Sequence, residues 1–344
     1  MQPRRPISRV RRILFAALAT VLFLALAEAA MAVLGVEEGG DFAFKVRRLD
    51  NDTKLDFVAL DRDLLWRLKR GYRSALVEVS GLGLRDPRED FQKPPGVSRI
   101  LCLGDSSTFG FYVEAGESYP QVLETLLNQG AGRTEFEVVN AGVPGYGNLQ
   151  MMRYFTLEGR KFRPDVVVMP VSPNNCNARY NAGDHAVMDG SRGGSFLSRV
   201  SGWMERSRLY ASLRRAIRTA RHAGGKPDRT ASRLTFGEFE KDVREFREVC
   251  RESGAKLVLL LLPYDSGKMA QKESGPCFRD FLRRARGLRL GDMAVLSLEF
   301  PEAAPPGNAG PLLIDEVHPT PAGHRWIAEK LFRHLSENGL TDRP

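Results

Sequence analysis

The run Ile100-Leu101-Cys102-Leu103, broken by Gly104-Asp105-Ser106, constrains this chain most. An apolar run closed by a glycine reads as a buried strand. Gly104 is expected to permit a backbone path that other residues resist. A sharp turn there lifts the Ser106 hydroxyl to the C-terminal edge of a sheet, where open α/β folds place their ligands. Near the other end of the chain, Asp315-Glu316-Val317-His318 supplies an imidazole and a carboxylate three residues apart.

The rest of the chain after Pro94-Pro95-Gly96 alternates in period. Strands are expected at Ile100 to Leu103, Phe136 to Val139, Val166 to Val171, Lys256 to Leu262 and Ala294 to Leu298. Helical patterns fall between and after them: Tyr119 to Gln129, Leu149 to Gly159, Phe236 to Ser253, Pro276 to Arg286 and Pro321 to Glu337. Thr320 fits an N-cap, and Pro321 suits the first helical position. This alternation predicts βαβ units, hence an α/β fold with a parallel sheet of about five strands in a three-layer α/β/α, flavodoxin-like arrangement.

Ahead of that domain, an apolar run from Ile13 to Val36 is broken only by Glu28. It is long enough to span a bilayer, which needs roughly 20 apolar residues. Arg4, Arg5, Arg9, Arg11 and Arg12 precede it, and Glu37, Glu38 and Asp41 follow it. That asymmetry places the N-terminus in the cytoplasm and the bulk of the chain outside. The expectation is one N-terminal transmembrane helix acting as a signal-anchor. Cleavage at Ala25-Leu26-Ala27 or Ala30-Met31-Ala32 would instead release a secreted protein. Glu28 is expected to reach the far interface.

The same five arginines supply much of the formal charge of +9. What remains is ordinary for a domain of this size, and no nucleic-acid module is present. Residues 172–232 form an insertion too long for an ordinary connection, of the kind that serves as a lid or mobile loop. Within it Arg206 to Arg221 patterns as an amphipathic helix, either a solvated surface helix or a contact for anionic headgroups or glycans. Leu64 to Leu68 and Leu82 to Arg85 are candidate short strands of a lead-in. The cysteines Cys102, Cys176, Cys250 and Cys277 lack a CxxC spacing and are too scattered for a metal site. Export would permit disulfides, and the sequence leaves their pairing open.

Ester chemistry by a serine requires a base for its proton, a carboxylate to hold that base, and fixed donors for the developing oxyanion. Ser106 is the candidate nucleophile, with Ser107 as the fallback. Among the histidines, His185 and His222 lie in the insertion, while His324 and His334 fall in the last helix. His318 precedes Pro319, which keeps it out of a helix, and it is the candidate base. Asp315 would orient it, with Glu316 as a rival. Oxyanion donors are offered by the glycine-rich stretch Asn140 to Gly147 and by Asn174 and Asn175, each following a predicted strand. Strand C-termini share one edge of a parallel sheet, so these residues are expected to converge.

These blocks resemble the SGNH/GDSL hydrolases. Gly104-Asp105-Ser106 with Thr108 and Gly110 is similar to the family's first block, Asn140 through Gly145 to its second, Asn174 to its third, and Asp315-Glu316-Val317-His318-Pro319 to its last. The resemblance spans about Arg99 to Leu335. It implies Ser106 as nucleophile, His318 as base and Asp315 as its partner. It also implies an oxyanion hole from the Ser106 and Gly145 N–H groups and the Asn174 side chain, with no metal or organic cofactor. One departure is plain: the third block is usually Gly-x-Asn-Asp, and this chain has Ser172-Pro173-Asn174-Asn175.

The expected plan is a basic region over 1–12, a signal-anchor over 13–36, a lead-in over 37–97 packed on the catalytic domain, and an SGNH hydrolase domain over 98–344. The layout resembles anchored bacterial members of the family, with the catalytic domain on the periplasmic side of the inner membrane. The expected activity is a serine esterase that removes a small acyl or acetyl group. Its partners are an ester or acylated-glycan substrate and the membrane. Acyl transfer to an envelope polysaccharide and a degenerate glycan- or protein-binding module are the alternatives.

Overall fold

The computed structural model describes residues 8–34, 56–61, 63–129, 135–177, 184–185, 188, 207–210, 212, 232–301 and 310–340. The chain forms two compact units, Met1–Leu55 with Asp189–Pro227, and Asp56–Met188 with Asp228–Pro344.

The first unit contains α1 (Arg9–Val33), a 25-residue helix with no buried side chains. It is long and apolar enough to cross a membrane, although a signal sequence would have the same character. Ser8 caps its start, accepting from the Arg11 N–H. Glu28 has a local partner: its carboxylate accepts from the Ser207 hydroxyl at 2.7 Å, the Arg208 N–H at 2.6 Å and the Leu209 N–H at 3.1 Å. The acidic residue thus caps a helical turn of the insertion. The amphipathic helix expected at Arg206 to Arg221 otherwise lies outside the described residues.

The second unit is built on a five-stranded parallel sheet: β3 (Ser98–Gly104), β4 (Phe136–Gly142), β5 (Val166–Pro170), β6 (Lys256–Leu261) and β7 (Ala294–Ser297), in the order β4-β3-β5-β6-β7. This is the flavodoxin-like order, which reverses direction at β3 and opens a crevice at the strand C-termini. In register, Gly104 faces Gly142, Cys102 faces Val168, and Val168 faces Val258. Alternate residues point to opposite faces. On one face Ile100, Cys102, Val138, Val168 and Leu260 pack with α3 (Tyr119–Leu127) and α8 (Pro321–Glu337). Across the sheet lie α4 (Asn148–Leu157), α5 (Phe236–Glu252) and, after the short α6 (Ser266–Ala270), α7 (Gly275–Arg286), with ring contacts such as Phe155–Phe246 at 5.3 Å and Phe239–Phe281 at 5.2 Å. Both faces of the strands are covered, which is why they read as continuous apolar runs. Truncating one of these buried rings to alanine costs roughly 3–5 kcal/mol.

The lead-in supplies an antiparallel hairpin, β1 (Val58–Asp61) with β2 (Leu65–Leu68). Leu82 to Arg85 is not a strand. Gly83 turns the chain with φ +80°, and Arg85 is drawn inward. Its guanidinium meets the carbonyls of Phe109 at 3.1 Å, Gly110 at 2.5 Å and Val113 at 2.8 Å. Those carbonyls close the short helix α2 (Ser106–Phe109) and the turn after it, so the lead-in supports the nucleophile turn directly.

Candidate active site

Strand β3 ends at Gly104, and Asp105 caps α2 by accepting the Ser107 N–H at 2.9 Å. Gly104 is required for space rather than for an unusual φ. A Cβ there would lie 1.8 Å from Thr108 Oγ1. Ser106 is therefore the first residue of a helix pressed against the sheet edge. The last block sits on a small antiparallel turn: Ile314 N–H donates to the His318 carbonyl at 2.8 Å, and Thr320 N–H to the Leu312 carbonyl at 3.1 Å.

That turn brings His318 Nε2 to 2.8 Å from Ser106 Oγ and His318 Nδ1 to 2.6 Å from Asp315 Oδ2. Asp315 Oδ1 accepts the N–H groups of Val317 at 2.9 Å and His318 at 2.8 Å. With Nδ1–H donating to the carboxylate, Nε2 is left as an acceptor for the serine proton. Burial opposes ionisation of Asp315. The hydrogen bond and charge of His318 and the two backbone N–H groups outweigh it and hold the carboxyl down to about 2. Phe111 and Tyr112 flank the imidazole at ring separations of 5.7 and 5.4 Å. Tyr112 adopts φ +72°, a left-handed conformation that non-glycine residues seldom take, and it remains exposed.

The rival residues are engaged elsewhere. Ser107 Oγ donates to the Val317 carbonyl at 3.2 Å, and Glu316 pairs with Lys272 at 3.1 Å. His185 pairs with Asp242 at 2.7 Å. His324 is fully buried and accepts the Tyr119 N–H, and burial lowers its pKa to about 3. His334 contacts Asn338, and His222 lies outside the described residues.

The second and third blocks converge on the same edge. Gly145 takes φ +80°, open chiefly to glycine. Among the described residues, neither the Ser106 N–H nor the Gly145 N–H meets another protein acceptor. Asn174 donates through Nδ2 to the Tyr146 carbonyl at 3.1 Å, leaving one amide hydrogen uncommitted there. Asn175 is buried and locked to Asn148, so its role is in the fold. Ser172, where the family has glycine, places its hydroxyl oxygen 2.6 Å from the Asp105 carboxyl and 2.9 Å from the Tyr146 carbonyl. One link was not read from sequence. Cys176 and Cys277 form a disulfide, tying the turn that carries Asn174 to α7, while Cys102 and Cys250 are free and buried. Among the described residues no group of three His, Cys, Asp or Glu side chains is placed to hold a metal.

A hydroxyl, an imidazole and a carboxylate in line at a strand edge, beside two unengaged N–H groups, have the geometry of a serine hydrolase site. Residues 102–326 match the model of the GDSL-like lipase/acylhydrolase family, and the chain belongs to that family of ester-hydrolysing enzymes. No curated protein matches the chain. Among solved structures it is similar to a lipase/acylhydrolase from Enterococcus faecalis, at 16% identity and TM-score 0.45 over 70% of this chain and 96% of that one. It is also similar to LAE5, an alpha/beta hydrolase enzyme from the metagenome of Lake Arreo, Spain, at 17% identity and TM-score 0.43 over 74% and 99%. A third is a catalytic mutant of an acetylxylan esterase from Geobacillus stearothermophilus, at 15% identity and TM-score 0.39 over 72% and 97%.

Proposed function

We infer that the protein is a membrane-anchored, extracytoplasmic serine esterase that removes a small acyl group, such as acetyl, through an acyl-Ser106 intermediate. The observation that carries this reading is the 2.8 Å contact between His318 Nε2 and Ser106 Oγ. His318 takes the serine proton as Oγ attacks the ester carbonyl, and returns it to the leaving alcohol. A water, deprotonated by the same imidazole, then attacks the acyl-serine and releases the acid. Asp315 holds the ring in the required tautomer and steadies the imidazolium. The Ser106 and Gly145 N–H groups and the Asn174 amide receive the oxyanion.

Two features favour the location outside the cytoplasm. The apolar stretch of α1 from Ile13 onward follows a run of arginines, and the Cys176–Cys277 disulfide belongs to an oxidising compartment. The test is turnover of p-nitrophenyl acetate by the full chain, with and without an acylatable glycan, alongside Ser106→Ala. The expected result is free acetate whose release requires Ser106. Acetylated glycan with no free acetate would reassign the protein as an acyltransferase. Failure of a fluorophosphonate probe to label Ser106 in the folded protein would overturn the nucleophile assignment.

A further inference from the structure

The Gly145 N–H belongs to the same peptide unit as the Pro144 carbonyl. A trans peptide is planar, so its carbonyl and N–H point in opposite directions. No cis peptide occurs among the described residues. Whatever fixes the Pro144 oxygen therefore fixes the aim of the Gly145 N–H. That oxygen accepts from the Trp66 indole Nε1 at 2.9 Å, and Trp66 is only 4% exposed.

The next peptide is clamped as well. The Gly145 carbonyl accepts from Arg233 Nη1 at 2.8 Å, and the Tyr146 N–H donates to the Val143 carbonyl at 3.1 Å. Arg233 is held by Asp184 at 3.0 Å, and its guanidinium lies 5.5 Å from the Trp66 ring. The Tyr146 hydroxyl closes the circuit onto the Trp66 carbonyl at 2.7 Å.

We propose that Trp66, which precedes the family-matched residues 102–326, is the positioning residue of the oxyanion loop, aiming and polarising the Gly145 N–H. The inference rests on the assignment of Gly145 as an oxyanion donor. Orientation comes from the planar peptide. Polarisation comes from the chain of hydrogen bonds: an amide whose carbonyl already accepts a bond donates more strongly through its N–H. The tetrahedral intermediate carries more charge on oxygen than the bound ester does. Losing the indole donor therefore weakens the transition state more than substrate binding, and kcat falls while KM holds.

Trp66→Phe in the full chain removes the N–H and keeps an apolar ring. With p-nitrophenyl acetate, kcat should fall about tenfold or more, with KM changed by less than about twofold. The rate of fluorophosphonate labelling at Ser106 should fall in parallel, and the midpoint of the pH–rate profile should not move. Arg67→Met is the control. It removes the pairs that Arg67, on the same hairpin as Trp66, makes with Asp61 at 2.7 Å and with Glu158 at 3.0 Å, and should lower Tm while sparing kcat. Should Trp66→Phe fail to fold, 3-benzothienylalanine at position 66 puts sulfur in place of the N–H and keeps the ring shape.

A folded variant with kcat and labelling within about twofold of wild type overturns the proposal, as does an equal loss in Arg67→Met. Wild-type protein that neither labels nor turns over overturns the Ser106 reading itself. Ser106-dependent wild-type turnover with an indifferent position 66 overturns this inference alone.

Discussion

The Asp105 carboxyl and the Ser172 hydroxyl meet at 2.6 Å, with both residues closed off from solvent. Ser172 Oγ also lies 2.9 Å from the Tyr146 carbonyl and accepts the Asn174 N–H at 3.1 Å. A hydroxyl has one hydrogen and cannot donate to both a carboxylate and a carbonyl. One added proton closes the network: Asp105 as the acid donates to Ser172, and Ser172 donates to Tyr146. Burial pushes the Asp105 carboxyl above the ordinary carboxylate range, in the same direction.

Asp105→Asn should therefore keep both stability and turnover near wild type, because an amide can cap Ser107 and donate to Ser172. Asp105→Ala should lose about 1–3 kcal/mol in denaturant unfolding. An acid raised on folding contributes stability that is full below its unfolded value and is lost as pH rises through the folded value. Melting temperature should accordingly decline with rising pH in wild type by a component that Asp105→Asn lacks.

Asp315 titrates in the other sense. Its stabilising contribution is full above the ordinary value of 3.8 and is lost as pH falls toward about 2. The carboxylate is thus ionised wherever activity is measured near neutrality. Asp315→Asn should cost about 10⁴ in kcat by presenting an amide to His318 Nδ1, with the fold intact by circular dichroism.

Neighbouring asparagines should separate cleanly. Asn174→Ala should lower kcat by about 10²–10³ with little change in melting temperature. Asn175→Ala breaks the buried pairing with Asn148, at 2.9 and 2.7 Å, and should appear first as lost stability. Paired thermal melts and steady-state kinetics distinguish the two.

Cys176 and Cys277 are 101 residues apart in sequence, so their bridge constrains a long loop. Chain entropy puts its contribution at about 4–5 kcal/mol. Reductant, or Cys176→Ser with Cys277→Ser, should lower the melting temperature and reduce kcat by loosening the Asn174 turn. Free-thiol titration of the native protein should find little reactivity, since Cys102 and Cys250 are buried and burial pushes the Cys250 thiol up to about 12.

The sheet was legible because its strands are covered on both faces and so carry unbroken apolar runs; β3, β4, β5, β6 and β7 fall within a few residues of their expected positions. The meeting of Ser106, His318 and Asp315 was legible because a strand-end turn and an Asp-x-x-His-Pro pattern are local signals. Gly104 was read as permitting an unusual backbone path, whereas the structure needs it because Thr108 occupies the space a side chain would take. The remaining support was not legible. Trp66 meets Pro144 across 78 residues and Arg233 meets Gly145 across 88, and no spacing in the sequence records such encounters. The disulfide was hidden for the same reason. Leu82 to Arg85 looked like a strand because its leucines alternate. Burial of an arginine among carbonyls overrode that pattern.

The Trp66 indole and the Arg85 guanidinium have a practical corollary for protein engineering. Trimming the gene to the homology limits 102–326 would delete Trp66 and Arg85 in one stroke, although Ser106, Asp315 and His318 would survive. A fragment that keeps Trp66 on its hairpin has to include the chain from Val58 onward, and grafts or fusions should be joined upstream of it.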